Sequence, residues 1–123
     1  MNEWSLNEWN EWIEMQPGVR RRTLAVGESL MQMVVTLAAG SSLPAHAHQN
    51  EQMAHVVSGR LILTIDGVPH ECGPGETLVI AGGIPHSAQV QEDTVVLDTF
   101  SPPRFDLLAE DEQHRKEQQD THA

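Results

Sequence analysis

The stretch GSSLPAHAHQNEQMAHVVSG, residues 40–59, decides how the rest of the chain is read. Within it His46 and His48 are separated by one residue, so on an extended backbone both imidazoles project from the same face, and Gln52 follows after a short interruption. That arrangement is half of a metal site. The other half is expected at His86, in GGIPHS, where a Gly/Pro turn again hands over to an alternating stretch, residues 86–90.

Turn signals recur outward from there at Gly40, Gly59, Asp66-Gly67, Gly73-Pro74-Gly75 and Gly82-Gly83. Short strands at that spacing predict an all-β sandwich or barrel, because nothing between the turns is long enough for a crossover helix. Asp66-Gly67 predicts a type I′ hairpin, whose two central residues both need positive φ. In front of it Leu61, Leu63 and Ile65 share one face, as a strand with a buried side requires. Further strands are predicted over 19–26 and 30–38, separated by Gly27-Glu28, and over 94–100, TVVLDTF, which Ser101-Pro102-Pro103 stops. Asp98 and Phe100 share a face of that last strand. A carboxylate inside so apolar a strand is costly unless it has a partner or a function.

Three segments follow: 1–17, packing on the barrel; 18–105, the barrel; and 106–123, a charged tail. The first carries Asn-Glu-Trp three times, ending at Trp4, Trp9 and Trp12, and is expected to be a short helix or turn laying aromatics on the domain or on a second subunit; a sugar-stacking platform is the alternative. Arg20, Arg21 and Arg22 are expected to guard a solvated sheet edge rather than clamp a substrate. The tail has helix-forming residues but no apolar stripe after Leu108, which suggests a frayed helix or disorder.

The 123 residues suffice for one domain with its own core. Seven Lys and Arg against eighteen Asp and Glu give a net charge of −11, so nucleic acid and anionic membranes are poor partners. An anionic small molecule needs local positive charge from a metal or an arginine. The single Cys72 excludes an intramolecular disulfide and is expected to be inert. No window approaches the roughly 18 apolar residues of a membrane span, and the acidic start lacks a basic n-region; a cytoplasmic location is expected. His55, which falls on the face opposite Gln52, and His70, just past a hairpin turn, are expected to be structural. Glu51 is a rival ligand with poorer parity, and His114 and His122 are assigned no role.

The spacing Gly40, His46, His48, Gln52, Gly59 resembles the first signature of the cupin superfamily, with Gln where most members carry Glu. Gly75 through Gly83 to His86 resembles the second, although Ala81 stands where that signature has Pro and Val90 where it often has Asn. The resemblance covers residues 18–105 and implies a double-stranded β-helix, the jelly-roll barrel, with one divalent metal in its mouth held by His46, His48, Gln52 and His86. Three imidazoles and an amide oxygen suit Zn, Ni, Mn, Fe or Co, and do not suit Ca or Mg.

A narrower resemblance lies in LDTFSPPRFDLL, together with HAHQNEQ, VVSGRLILTIDG and the spacing from Trp12 to Gly18. These look like the small cupins of pectin and alginate breakdown, which linearise 4,5-unsaturated uronates to 5-keto-4-deoxyuronate. Carried over, Asp98 is expected to be the acid and base, Arg104 the clamp for a carboxylate or hydroxyl, and Phe100 an apolar floor for the sugar. A homodimer is expected by the same resemblance. Two other classes remain open: a different cupin enzyme, such as a polyketide cyclase or dioxygenase, and a non-catalytic sugar or metal binder.

Overall fold

The computed structural model describes residues 11–121. Within them the chain forms the strands β1 (Ile13–Gln16), β2 (Val19–Val26), β3 (Met31–Leu37), β4 (Ser42–His46), β5 (Glu51–Ser58), β6 (Leu61–Ile65), β7 (Val68–Cys72), β8 (Thr77–Ile80), β9 (His86–Gln89) and β10 (Thr94–Ser101), then the helix α1 (Phe105–Thr121). They make two sheets, in the orders β1-β2-β3-β10-β5-β8 and β4-β9-β6-β7. Every neighbouring pair is antiparallel.

The period-2 pattern explains which faces meet. In β3, Met31, Met33, Val35 and Leu37 point inward, while β10 sends in Thr94, Val96, Asp98 and Phe100. With Ala54, Val56, Leu61, Leu63 and Ile80 these side chains fill the space between the sheets. Each large aliphatic or aromatic side chain so buried contributes about 1.5–3 kcal/mol. Asp98 and the buried Gln52 interrupt that face with polar groups at the end that carries the histidines.

The turns follow their residues. Ile65 pairs with Val68, so Asp66 and Gly67 form a two-residue loop with φ of 52° and 81°, as a type I′ hairpin demands. At Gly59 (φ 84°) a Cβ would fall 2.3 Å from the Asp93 carbonyl, so only glycine lets the β5–β6 turn cross the start of β10.

The arginine run departs from expectation. Since β1 occupies the sheet edge, β2 is an interior strand, and parity divides the run. Arg20 and Arg22 face outward, with their guanidinium carbons 4.9 and 5.9 Å from the Trp12 ring. Arg21 points inward and is 0% exposed. It donates to Asp111 Oδ1 at 2.7 Å and to the Leu107 carbonyl at 3.3 Å, and Thr23 donates to Asp111 Oδ2 at 2.5 Å. The tail is correspondingly a helix docked on the barrel, with Leu107, Leu108 and Asp111 buried. Trp12 is half-buried against those arginines, in keeping with a packing role, while Trp4, Trp9 and His122 lie outside the described residues.

Candidate functional site

Strand register builds the site. His46 in β4 pairs directly with His86 in β9, and their ring centroids are 4.4 Å apart. His48, two residues on, brings its ring within 4.9 Å of His86. Across the barrel Phe100 pairs with Gln52 and Asp98 with Ala54, so Gln52 and Asp98 are diagonal neighbours on one inner face. Asn50 ties the strands together beyond them: its Nδ2 donates to the Pro102 carbonyl at 2.6 Å, fixing the segment that carries Arg104.

Each imidazole has its Nδ1 against a backbone carbonyl: His46 with Pro44 at 3.2 Å, His48 with Asn50 at 3.1 Å, and His86 with Ile84 at 2.9 Å. A carbonyl only accepts, so the proton of each neutral ring sits on Nδ1 and the lone pair on Nε2. One ligand atom from each of the three rings lies within 4.8 Å of the others. Burial is the main cause holding His48 and His86 below the usual imidazole pKa, with the Arg104 charge acting in the same direction. Both rings are therefore neutral and able to coordinate. His86 Nε2 is buried with no hydrogen-bond partner.

Gln52 sharpens the case for a cation. Its Nε2 donates to Asp98 Oδ1 at 2.9 Å, which turns its Oε1 toward His48 Nε2 at 3.0 Å. Two lone pairs then face each other, an arrangement that a shared cation makes favourable and that repels without one. The donor set fits a divalent transition metal bound by three imidazole nitrogens and one amide oxygen, each imidazole oriented by its backbone carbonyl.

Asp98 is 6% exposed, and burial pushes its carboxyl up to about 6 against the opposing influence of the Gln52 hydrogen bond and the Arg104 charge. Arg104 lies with Cζ 5.2 Å from the Phe100 ring centroid, and its Nε and Nη2 donate to Asp106 Oδ1 and Oδ2 at 3.0 and 2.9 Å. A pocket of about 310 Å³ is shared by His46, His86, Gln52, Asp98, Phe100 and Arg104, and its floor is aliphatic, with Met33, Leu61 and Leu63.

All seven residues singled out in the sequence thus converge: His46 and His86 come from one sheet, Gln52, Asp98 and Phe100 from the facing one, and His48 and Arg104 from the segments that follow β4 and β10. Glu51 is exposed and points away. His55 bonds Thr77 Oγ1 at 2.8 Å on the outer face, His70 is exposed, and Cys72 is buried elsewhere with its thiol pushed up by burial. The sequence reading missed Met15, Gln16 and Leu107, which also line the pocket, and Asp106, which grips Arg104. The Arg-x-Asp spacing at a helix start was a signal for Asp106. No local pattern marked the others.

Barrel, signatures and histidine cluster together define a cupin, and a sequence model of the cupin domain matches residues 33–100; the chain belongs to that family. Within it, the chain is similar to the pectin degradation protein KdgF of Dickeya dadantii, at 27% identity over 110 residues, covering 88% of this chain and all of that protein. Among solved structures, KdgF from a Halomonas species superposes with a TM-score of 0.77 at 28% identity, covering 87% of this chain and 99% of that one. An RmlC-like cupin from Shewanella frigidimarina gives the same TM-score, 0.77, at 27% identity, over 87% and 96% of the two chains. Among the described residues no helix is long and apolar enough to cross a membrane.

Proposed function

We propose that this cupin opens the ring of 4,5-unsaturated uronate monosaccharides, giving 5-keto-4-deoxyuronate, in the breakdown of pectin or alginate. The observation that carries the reading is the placement of Asp98, a buried carboxyl of raised pKa joined through the Gln52 amide to the three-histidine cluster and faced by Arg104. Similarity to a pectin degradation protein along the whole of that protein supports the substrate class.

The substrate is a cyclic hemiacetal whose ring oxygen sits on an enol carbon beside a carboxylate. Opening it needs a proton taken from the anomeric hydroxyl; the bond from the anomeric carbon to the ring oxygen then breaks, leaving an aldehyde and an enolate. Asp98, ionised above about pH 6, takes that proton on the oxygen not engaged by Gln52. It returns the proton to the former alkene carbon, and the enolate becomes the ketone. Arg104 binds the carboxylate, and Phe100 supports the ring through its face. His46, His48, His86 and the Gln52 oxygen would hold a divalent metal, which would supply positive charge for the developing enolate oxygen.

The test adds metal-loaded protein to freshly made unsaturated galacturonate and follows the loss of its ultraviolet enol-carboxylate absorbance. Decay faster than the spontaneous rate in proportion to protein is expected. Decay at the spontaneous rate overturns the assignment.

The aliphatic floor favours a second reading, a metal-dependent cupin enzyme whose substrate has an apolar body, as in polyketide cyclisation or dioxygenation. Turnover of an aromatic or polyketide substrate, with oxygen consumed in the dioxygenase case, beside uronate decay at the spontaneous rate would select it.

A further inference from the structure

We propose that Asp106 is a positioning residue, orienting the Arg104 guanidinium so that one free edge receives the ligand's carboxylate. For the identity of that ligand the inference rests on the sugar-acid reading above.

Arg104 directly precedes α1, and Asp106 lies in the helix's first turn, where the N-terminal dipole favours a carboxylate. The pair is side-on and two-pronged, through Nε and Nη2. It is also lopsided: the Arg104 side chain is 10% exposed and that of Asp106 is 61% exposed. A pair formed only to tidy the surface would leave both ends in water and contribute little. Here the arginine is turned into the pocket and the acid stands outside it.

Two further contacts restrain Arg104. Asn50 holds the backbone through the Pro102 and Pro103 carbonyls, at 2.6 and 3.3 Å. The Phe100 ring lies with its centroid 5.2 Å from Cζ. Asp106 engages Nε and one proton of Nη2, so the Nη1 edge remains for the ligand. Consistent with a strong pairing, the hydrogen bonds from Arg104 hold the Asp106 carboxyl below its usual range. Since Arg104 loses side-chain freedom before the ligand arrives, binding forfeits less entropy.

The experiment uses the full chain in the wild type and in Asp106→Ala and Asp106→Glu. In the first arm, the Arg104 Nε–H resonance, assigned by its loss in Arg104→Lys, is followed by NMR. It is expected in the wild type and lost in Asp106→Ala. In the second arm, calorimetry with metal-loaded protein measures D-galacturonate binding, expected to weaken about tenfold in Asp106→Ala and to recover partly in Asp106→Glu. Unchanged affinity, or a persistent Nε–H signal in Asp106→Ala, overturns the inference. If the wild type binds acetate in this pocket and no galacturonate, the sugar-acid reading fails, and the same comparison with acetate still decides the role of Asp106.

Discussion

The Gln52 amide bridges the histidine cluster and Asp98, with Oε1 3.0 Å from His48 Nε2 and Nε2 donating to Asp98 Oδ1 at 2.9 Å. An amide presents an acceptor and a donor at the same end of the side chain, and this position uses both. A glutamate would offer its oxygen to the metal equally well, but it would set a second carboxylate against Asp98. Like charges about 3 Å apart do not both ionise. The neutral residue is therefore matched to Asp98 as much as to an anionic substrate.

Gln52→Glu is expected to retain metal while turnover at pH 7 falls by about 10–100-fold, because the added carboxylate raises the Asp98 pKa further. The acidic limb of the pH–rate profile should move to higher pH. A metal-loaded variant with the wild-type limb and undiminished turnover would refute the coupling.

Asp98 also sets a conflict between stability and activity. Its carboxyl rises from 3.8 to about 6 in the folded protein. The folded state thus binds this proton more tightly than the unfolded state does. The group's contribution is fully favourable below the unfolded value and is lost as pH rises through the folded one, a difference of up to about 3 kcal/mol. Asp98→Asn keeps an acceptor for Gln52 and removes the charge. In metal-free protein it should be more stable than the wild type at pH 7, with the advantage vanishing near pH 4, while turnover falls about 10²–10⁴-fold. Urea unfolding at the two pH values, beside the absorbance assay, checks both halves.

The barrel and the histidine cluster were legible because their determinants are local. Alternation in β3 and β10, Asp66-Gly67, and the spacing of His46, His48 and Gln52 all act within a few residues. What escaped depends on partners far apart in sequence. Arg21 looked like a solvated charge because Asp111, which neutralises it, lies 90 residues away. The helix looked unanchored because it docks through Leu107, Leu108 and the carboxylates of Glu110 and Asp111, too few apolar positions to form a stripe. The Gln52–Asp98 bond was equally hidden, although each residue had been singled out, since it depends on the β5–β10 register.

Metal removal gives a third expectation. A metal bound only by the folded state stabilises it by about 2.7 kcal/mol at a concentration 100 times Kd. Chelation should therefore lower Tm by several degrees and abolish turnover, and a divalent transition metal should restore both. In His86→Ala, which removes the buried and unpartnered Nε2, Tm should not respond to the chelator. An equal response in that variant would place the metal elsewhere.

The buried pair between Arg21 and Asp111 gives the last expectation. Asp111→Ala leaves the Arg21 guanidinium, in a place with no exposure, only the Leu107 carbonyl and the exposed Glu110 carboxylate 3.4 Å from Nη2, and the loss should approach about 3 kcal/mol. Arg21→Met should cost less, because Asp111 keeps the Thr23 hydroxyl at 2.5 Å and lies nearer the surface, on the helix. Combining Arg21→Met with Asp111→Leu removes both charges and should recover most of the stability, since a buried ion pair contributes little beyond an apolar pair of similar volume. The site responds as well: Arg21 Nη2 donates to the Leu107 carbonyl at 3.3 Å, and Leu107 lines the pocket. Asp111→Ala should therefore raise KM as it lowers stability. A urea double-mutant cycle run beside the kinetics separates the two effects, and equal losses from either single change would show that the carboxylate is as deeply committed as the arginine.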